Sequence, residues 1–266
     1  MLKKNILMIF VVSILMSIVV LQSPEVKANS VSIDRNQYLH NFYQIPLEAG
    51  REIFTTENEK LKRNAYFSGI LLITFLLDQK IRDFAQENIY QGSNILSNFL
   101  YDVGTQEVAL WTFGSFYAWS KLSGNQYLED TIFLSFQSLL LTQVLTEALK
   151  NSVNRIRPTN SPDNPFVRGS GNSFISGHAS GTWSVATIAA GRYPEIKEVS
   201  YGLAAAVALA RIYEDAHWAS DIFAGSVAGY GIGRLTLRLN ENINDQLSLI
   251  PVLTSEQAGL QASIQF

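Results

Sequence analysis

The chain contains no cysteine. That absence excludes disulfides, thiolate zinc sites and thiol nucleophiles. A basic excess is missing too. Twenty lysines and arginines stand against 23 aspartates and glutamates, for a formal net charge of −3, so no positive field gathers nucleic acid. Histidine is scarce: His40, His178 and His217 are the three in 266 residues. Any histidine chemistry must come from them. What is plentiful is apolar side chain, 47% against 16% charged. That share builds a sizeable core in one domain of ordinary size, without requiring a membrane bundle.

The first residues have the form of an export leader. Lys3 and Lys4 precede an almost unbroken apolar run from Ile6 to Leu21, and Val26-Lys27-Ala28 ends on a small residue. A secretory signal has this three-part pattern. The expectation is a signal peptide over 1–28, with the remainder exported to the periplasm or cell envelope. Cleavage there takes the net charge from −3 to about −5. The alternative is an uncleaved anchor helix, because the run nears spanning length.

Residues 29–60 are polar and mixed, an irregular or partly helical lead-in. His40 lies there as a surface or packing residue. From residue 61 to 238 apolar blocks recur, among them "YFSGILLITFLL", "TIFLSFQSLLLTQVLTEAL" and "VSYGLAAAVALARIY". They are rich in leucine and alanine and lack period-2 alternation, so they predict helices rather than strands. Most are shorter than the roughly twenty residues a span needs. An all-α bundle, soluble or peripheral to a membrane, is the expected architecture. The tail, 239–266, alternates on both sides of "TSEQAG" and predicts a short β-hairpin; its role is unassigned.

Three short stretches carry the chemistry. In "KNSVNRIRP", Lys150 ends a helical pattern, while Pro158 stops regular helix and pushes Arg157 toward extended backbone. Both cations can then face one spot, though cations also collect at helix C-termini for the dipole alone. In "SFISGHASGTW", Ser176 can cap a helix beginning near Gly177, and Gly177 lets backbone approach a ligand closely. Free N–H groups at a helix start bind anions, and His178 lies in that first turn. In "RIYEDAHWASD", His217 and Asp221 are i, i+4, stacked on one face if helical. A carboxylate on one ring nitrogen fixes the tautomer and leaves the other lone pair free. Arg211 precedes them. A plain salt bridge in a bundle would explain that pair equally well.

Together the stretches read as a phosphate site. Two of three histidines, three cations and one anion-binding helix start exceed what a carboxylate ligand needs, and arginine forks match phosphate oxygens. His178, His217 and Asp221 also resemble a two-histidine, one-carboxylate metal set. Lys150, Arg157 and Arg211 would repel a divalent ion, so no metal and no cofactor are expected.

This constellation resembles the type-2 phosphatidic acid phosphatase and vanadium haloperoxidase superfamily. That pattern is Lys-x6-Arg-Pro, Pro-Ser-Gly-His and Ser-Arg-x5-His-x3-Asp. Here it reads Lys150…Arg157-Pro158, Ile175-Ser176-Gly177-His178 and Ala210-Arg211…His217…Asp221. Ile175 stands for the motif proline, which loosens that loop in expectation, and Ala210 stands for a serine. The resemblance implies a helical bundle with the site at one end. It also implies metal-free hydrolysis of phosphate esters through a phosphohistidine. His217 would attack phosphorus and Asp221 would orient it. His178 would serve as acid and then base. Lys150, Arg157 and Arg211 would hold the oxygens, with Ser176 and the Gly177 N–H adding bonds.

Two rivals remain. A vanadium haloperoxidase would hold vanadate in the same pocket, although such chains are longer. A silent anion-binding envelope protein would keep the pocket without turnover. The substrate class spans phosphorylated lipids, isoprenoid diphosphates and soluble esters, with peripheral membrane contact as a further expectation. Arg168 is a candidate for reading a second phosphate.

Overall fold

The computed structural model describes residues 33, 35–90, 95–167, 169, 171–241, 248–253 and 258–263. The expected leader over 1–28 and Arg168 lie outside the described residues. The helices are α1 (Arg35–Ile53), α2 (Asn58–Asn88), α3 (Ile95–Val103), α4 (Gln106–Ser123), α5 (Gln126–Val153), α6 (Gly177–Arg192), α7 (Lys197–Tyr213) and α8 (Ala219–Glu241). Short 3-10 turns cover Pro158–Asn160 and Pro194–Ile196. The fold is all-α. In the tail, β1 (Ser248–Leu253) pairs antiparallel with β2 (Ala258–Ser263), from Ser248 opposite Ser263 to Leu253 opposite Ala258.

Cap chemistry sets the helix boundaries. Thr105 and Asn125 accept the orphan N–H groups of Val108 and Leu128 at the starts of α4 and α5. Gly124 ends α4 with φ 66°, a left-handed cap that glycine adopts without strain. Asn154 ends α5 with φ 51°, an accepted asparagine position. Arg157 is then extended, φ −72° and ψ 154°, ahead of Pro158, as proline demands of its predecessor.

The heart of the bundle is α6 against α8, flanked by α5 and α7. Glycines at four-residue spacing on α8 allow this contact. A Cβ on Gly225 would lie 2.8 Å from the Ser176 carbonyl oxygen, and one on Gly233 would lie 2.7 Å from Thr187 Cβ. A Cβ on Gly229 would collide with the Ser180 carbonyl. The helix backbones therefore meet with no side chain between them. Ser176, Ser180 and Ser184 are wholly buried along that seam.

The lead-in is mostly helix α1 and is tied into the body. Ile45 packs with Ile232 and Leu235. Asn41 Nδ2 donates to the Leu239 carbonyl at 3.0 Å, and Tyr38 Oη donates to the Phe133 carbonyl at 3.0 Å. His40 is exposed against the Tyr43 ring.

The apolar blocks are less buried than their composition suggests. The buried residues of α2 are Asp78 and Ala85 alone, and Leu72, Ile73 and Leu76 lie open. On α4, Leu110 and Trp111 are exposed; on α5, Leu140 and Val144 are. One helix among the described residues, Gln126–Val153, is long and apolar enough to cross a membrane. Only its inward face meets the bundle.

Candidate active site

The start of α6 gathers the first group. Ser176 is the N-cap, and its Oγ accepts from Ala179 N at 3.4 Å. The Ser176 N–H donates to the Asp221 carbonyl at 3.1 Å, which pins the start of α6 to the start of α8. Ile175 is 1% exposed. The apolar side chain at the motif's proline position is thus enclosed by the core. Gly177 leaves room on its outer side. A Cβ there would sit 3.6 Å from Lys150 Nζ, so the lysine reaches the helix start from the end of α5. Glu147 steadies that amine at 2.8 Å.

His178 is seated by the junction between α3 and α4. Its ring packs on Tyr101, with centroids 5.1 Å apart. Gly104 is required here for space: a Cβ would overlap the imidazole and approach Val207 Cγ1 to 2.9 Å. Among the described residues, His178 Nε2 is buried with no hydrogen-bond partner. Burial, then the charges of Arg211, His217 and Lys150, push its pKa down to about 3, against a bond to the Tyr101 backbone. The unliganded site therefore holds a neutral His178.

His217 corrects one expectation from spacing. It does not share a helix face with Asp221. It lies in the loop after α7, and α8 begins at Ala219. Asp221 explains why. Its Oδ2 accepts from Trp218 N at 3.0 Å, a side chain reaching back across the first turn as in a capping box. That bond starts the helix after Trp218 and leaves His217 outside it. His217 Nδ1 faces Asp221 Oδ2 at 3.7 Å, longer than a hydrogen bond. His217 is 4% exposed and Asp221 is wholly buried. Burial lowers the His217 pKa; Asp221 opposes this, and Arg157 and Arg211 add to it. Burial works to raise Asp221, but His217, Arg155 and Ser173 outweigh it and hold the carboxyl below its usual range.

The partners of Asp221 were not among the residues singled out by motif. Arg155 Nη1 donates to Asp221 Oδ1 at 2.6 Å, and Ser173 Oγ donates to Oδ2 at 2.5 Å. Arg155 Nη2 meets Asp78 Oδ2 of α2 at 2.6 Å. Ser220 ties both, its N–H to Asp78 Oδ1 at 2.8 Å and its Oγ to Arg155 Nη1 at 2.7 Å. Further along α2, Arg82 holds Asp215 at 2.8 and 2.9 Å, in the loop that carries His217. Arg82 and Gln79 both donate to the Pro162 carbonyl. Gln86 donates to the Ile212 and Tyr213 carbonyls. Asp78, Arg82 and Gln86 recur every four residues and form a polar stripe on α2.

Three cations complete the geometry. Arg211 is buried, paired with Glu214 at 2.7 Å, and its guanidinium carbon lies 4.9 Å from the Tyr101 ring centre. Its Nε is buried without a partner among the described residues. Arg157 is half-buried, with Nε on Asn172 Oδ1 at 3.0 Å, and its charge reaches both His217 and Arg211. Among the described residues, no group of three histidine, aspartate or glutamate side chains is arranged to hold a metal ion. The structure thus brings Lys150, Arg157, Arg211, Ser176, Gly177, His178, His217 and Asp221 to one end of the bundle. Buried donors and unpaired imidazole nitrogens there suit a multiply charged anion.

Residues 132–245 match the model of the PAP2 superfamily. That stretch contains all three motifs. Two solved structures share the fold. One is the transmembrane PAP2-type phosphatidylglycerolphosphate phosphatase of Bacillus subtilis. It aligns with a TM-score of 0.53 and 18% identity, over 67% of this chain and 96% of that one. The other is LpxE of Aquifex aeolicus, with a TM-score of 0.51 and 20% identity over 61% and 95%. No curated protein matches the chain in sequence.

Proposed function

With residues 132–245 carrying the PAP2 superfamily pattern, we propose that the protein is a PAP2-type phosphatase, a phosphoric ester hydrolase acting without a metal through a phosphohistidine. The observation that carries this is the convergence of two neutral histidines, His217 buried and His178 half-buried, with three cations at the N–H groups that open α6. His217 attacks phosphorus through Nε2, and the P–O bond to the alcohol breaks. The leaving oxygen takes a proton from His178. Water, giving its proton back to His178, then attacks phosphorus and frees His217.

His178 must be protonated for the first step, yet its pKa near 3 keeps it neutral in the free site. Substrate works against this. Burial is the largest cause and stays, but a bound phosphate dianion offsets Arg211 and Lys150, two of the charges that further depress the imidazole, and so raises its pKa. Lys150, Arg157 and Arg211 then hold the oxygens on which charge accumulates. Ser176 and the Gly177 N–H complete the cradle.

The substrate is a phosphorylated lipid presented at a membrane, in an exported, envelope-facing setting. The open apolar faces of α2, α4 and α5 support this, because patches of that kind mark lipid or protein contact. The two structural relatives are named as a transmembrane PAP2-type phosphatidylglycerolphosphate phosphatase and as LpxE. The test is phosphate release in EDTA by the purified chain and by His217→Ala. Phosphatidic acid, an isoprenyl diphosphate and a soluble chromogenic monoester serve as substrates. Wild-type turnover that persists in EDTA and vanishes in the variant is expected, with phosphatidic acid preferred. Substantial hydrolysis by the variant sinks the nucleophile assignment. Halide oxidation with vanadate and peroxide, in place of hydrolysis, would point to a haloperoxidase.

A further inference from the structure

Asp221 is the residue that orients the proposed nucleophile, yet its hydrogen bonds go elsewhere. Its side chain accepts from Arg155, Ser173 and Trp218 N, while His217 Nδ1 stays 3.7 Å away. Arg155 is 2% exposed and every nitrogen of its fork is engaged: Nε on the Pro165 carbonyl, Nη1 on Asp221 and Ser220, Nη2 on Asp78. The rings of Phe75 and Trp218 lie against it, with centres 4.5 and 5.3 Å from its guanidinium carbon. Nothing in the reaction requires a guanidinium at this depth. A buried arginine between two buried carboxylates is also costly to assemble for stability alone.

We propose that Arg155, itself set by Asp78 of α2, is the positioning residue that fixes the Asp221 carboxylate and tunes the charge that His217 faces. This rests on His217 being the nucleophile. Two carboxylates around one guanidinium leave a single net negative charge beneath the imidazole. A histidine that becomes positive on phosphorylation needs that charge. A lone Asp221 would instead favour the doubly protonated imidazolium before substrate arrives, with a proton on Nε2, the nitrogen that must attack. Arg155 restrains it, and Asp78 restrains Arg155. The charged or titratable groups facing His217 from its neighbours are Asp221 of α8, Arg211 of α7, Arg157 of the loop after α5 and His178 of α6. Arg155 and Asp78 act through Asp221.

The experiment uses the full chain with ¹⁵N-labelled histidine, comparing wild type, Asp78→Asn, Ser173→Ala, Arg155→Lys and Arg155→Met. Kinetics are read on a soluble phosphomonoester, inorganic phosphate affinity by competition, and each histidine by its NMR titration. Removing Arg155 raises the His217 titration, and removing the Asp78 charge lowers it. These opposite signs are not produced by general loosening. Asp78→Asn lowers kcat about 10- to 100-fold with phosphate affinity within about twofold, the loss expected when a reacting group is misplaced. Arg155→Lys recovers part of the Arg155→Met loss. Should Arg155→Met fail to fold, Ser173→Ala still tests the idea, because it strips one donor from Asp221 and must also raise His217. The proposal is overturned if kcat and phosphate affinity fall together. It is equally overturned if His217 titrates unchanged in Asp78→Asn and Ser173→Ala while kcat stays within twofold. Retained turnover in His217→Ala would sink the phosphohistidine reading instead, and the titrations would still report on the Arg155 network.

Discussion

At the scale of single residues, burial is the largest influence that lowers the pKa of both histidines. His178 drops from 6.5 to about 3, with burial the largest cause. Between those values the unfolded chain binds a proton that the folded chain refuses. This contribution to stability is complete above about pH 6.5 and is lost as pH falls toward 3. His178→Asn should therefore flatten the dependence of Tm on pH across that window, measured by thermal melts from pH 7 to 4. The cations give a second expectation. Arg211→Ala should lower kcat by about 10²-fold or more, as loss of one oxyanion donor does elsewhere. Single-turnover assays at saturating substrate separate that loss from weaker binding. Two of the partners Asp221 uses, Arg155 and Ser173, sit within or beside the sequence motifs, as does Ser220, which bonds Arg155 and Asp78. They were passed over because their meaning depends on a carboxylate far along the chain. Asp78 lies 77 positions from Arg155, and no local spacing signals a contact of that length.

At the scale of elements, α2 acts as a clamp along the outside of the site. Arg82→Ala removes the fork on Asp215 and one bond to the Pro162 carbonyl. A loss of about 2 kcal/mol in urea unfolding is expected for hydrogen bonds to a charged partner at a half-buried site, with kcat/KM falling in step as the His217 loop loosens. The seam between α6 and α8 gives a sharper outcome. Gly229→Val drives a side chain into the Ser180 carbonyl, and overpacking of this kind costs about 1–3 kcal/mol. Chemical denaturation reads it directly. The helices themselves were legible in composition and period, as were the caps at Ser176 and the break at Pro158. The start of α8 was not. An i, i+4 pair reads as helical only if both members are inside the helix, and the return of Asp221 to Trp218 N places His217 one step outside. Trp218-x-x-Asp221 carries the pattern that would have signalled it.

At the scale of the whole molecule, one end is polar and charged, while α2, α4 and the outer face of α5 are apolar. Composition could not reveal this division, since 47% hydrophobic content serves a buried core or an open belt equally well. Exposure decides it: Leu72, Ile73 and Leu76 are each more than half open. The consequence is measurable with vesicles. Replacing Leu72, Ile73 and Leu76 together with serine should reduce co-sedimentation with phospholipid vesicles and lower turnover of phosphatidic acid, while hydrolysis of a soluble ester stays near wild type. Parallel losses on both substrates would assign these side chains to folding instead.

The glycine seam has a kinetic corollary. Because α6 and α8 touch backbone to backbone, and Ser176 N–H is bonded to the Asp221 carbonyl, neither helix can breathe without the other. Amide exchange should find them opening as one cooperative unit, among the slowest in the chain, with the segment 159–167 far faster. The acid–base group and the carboxylate under the nucleophile would then keep a fixed separation through turnover. Accommodation of different head groups would fall to the outer loop alone.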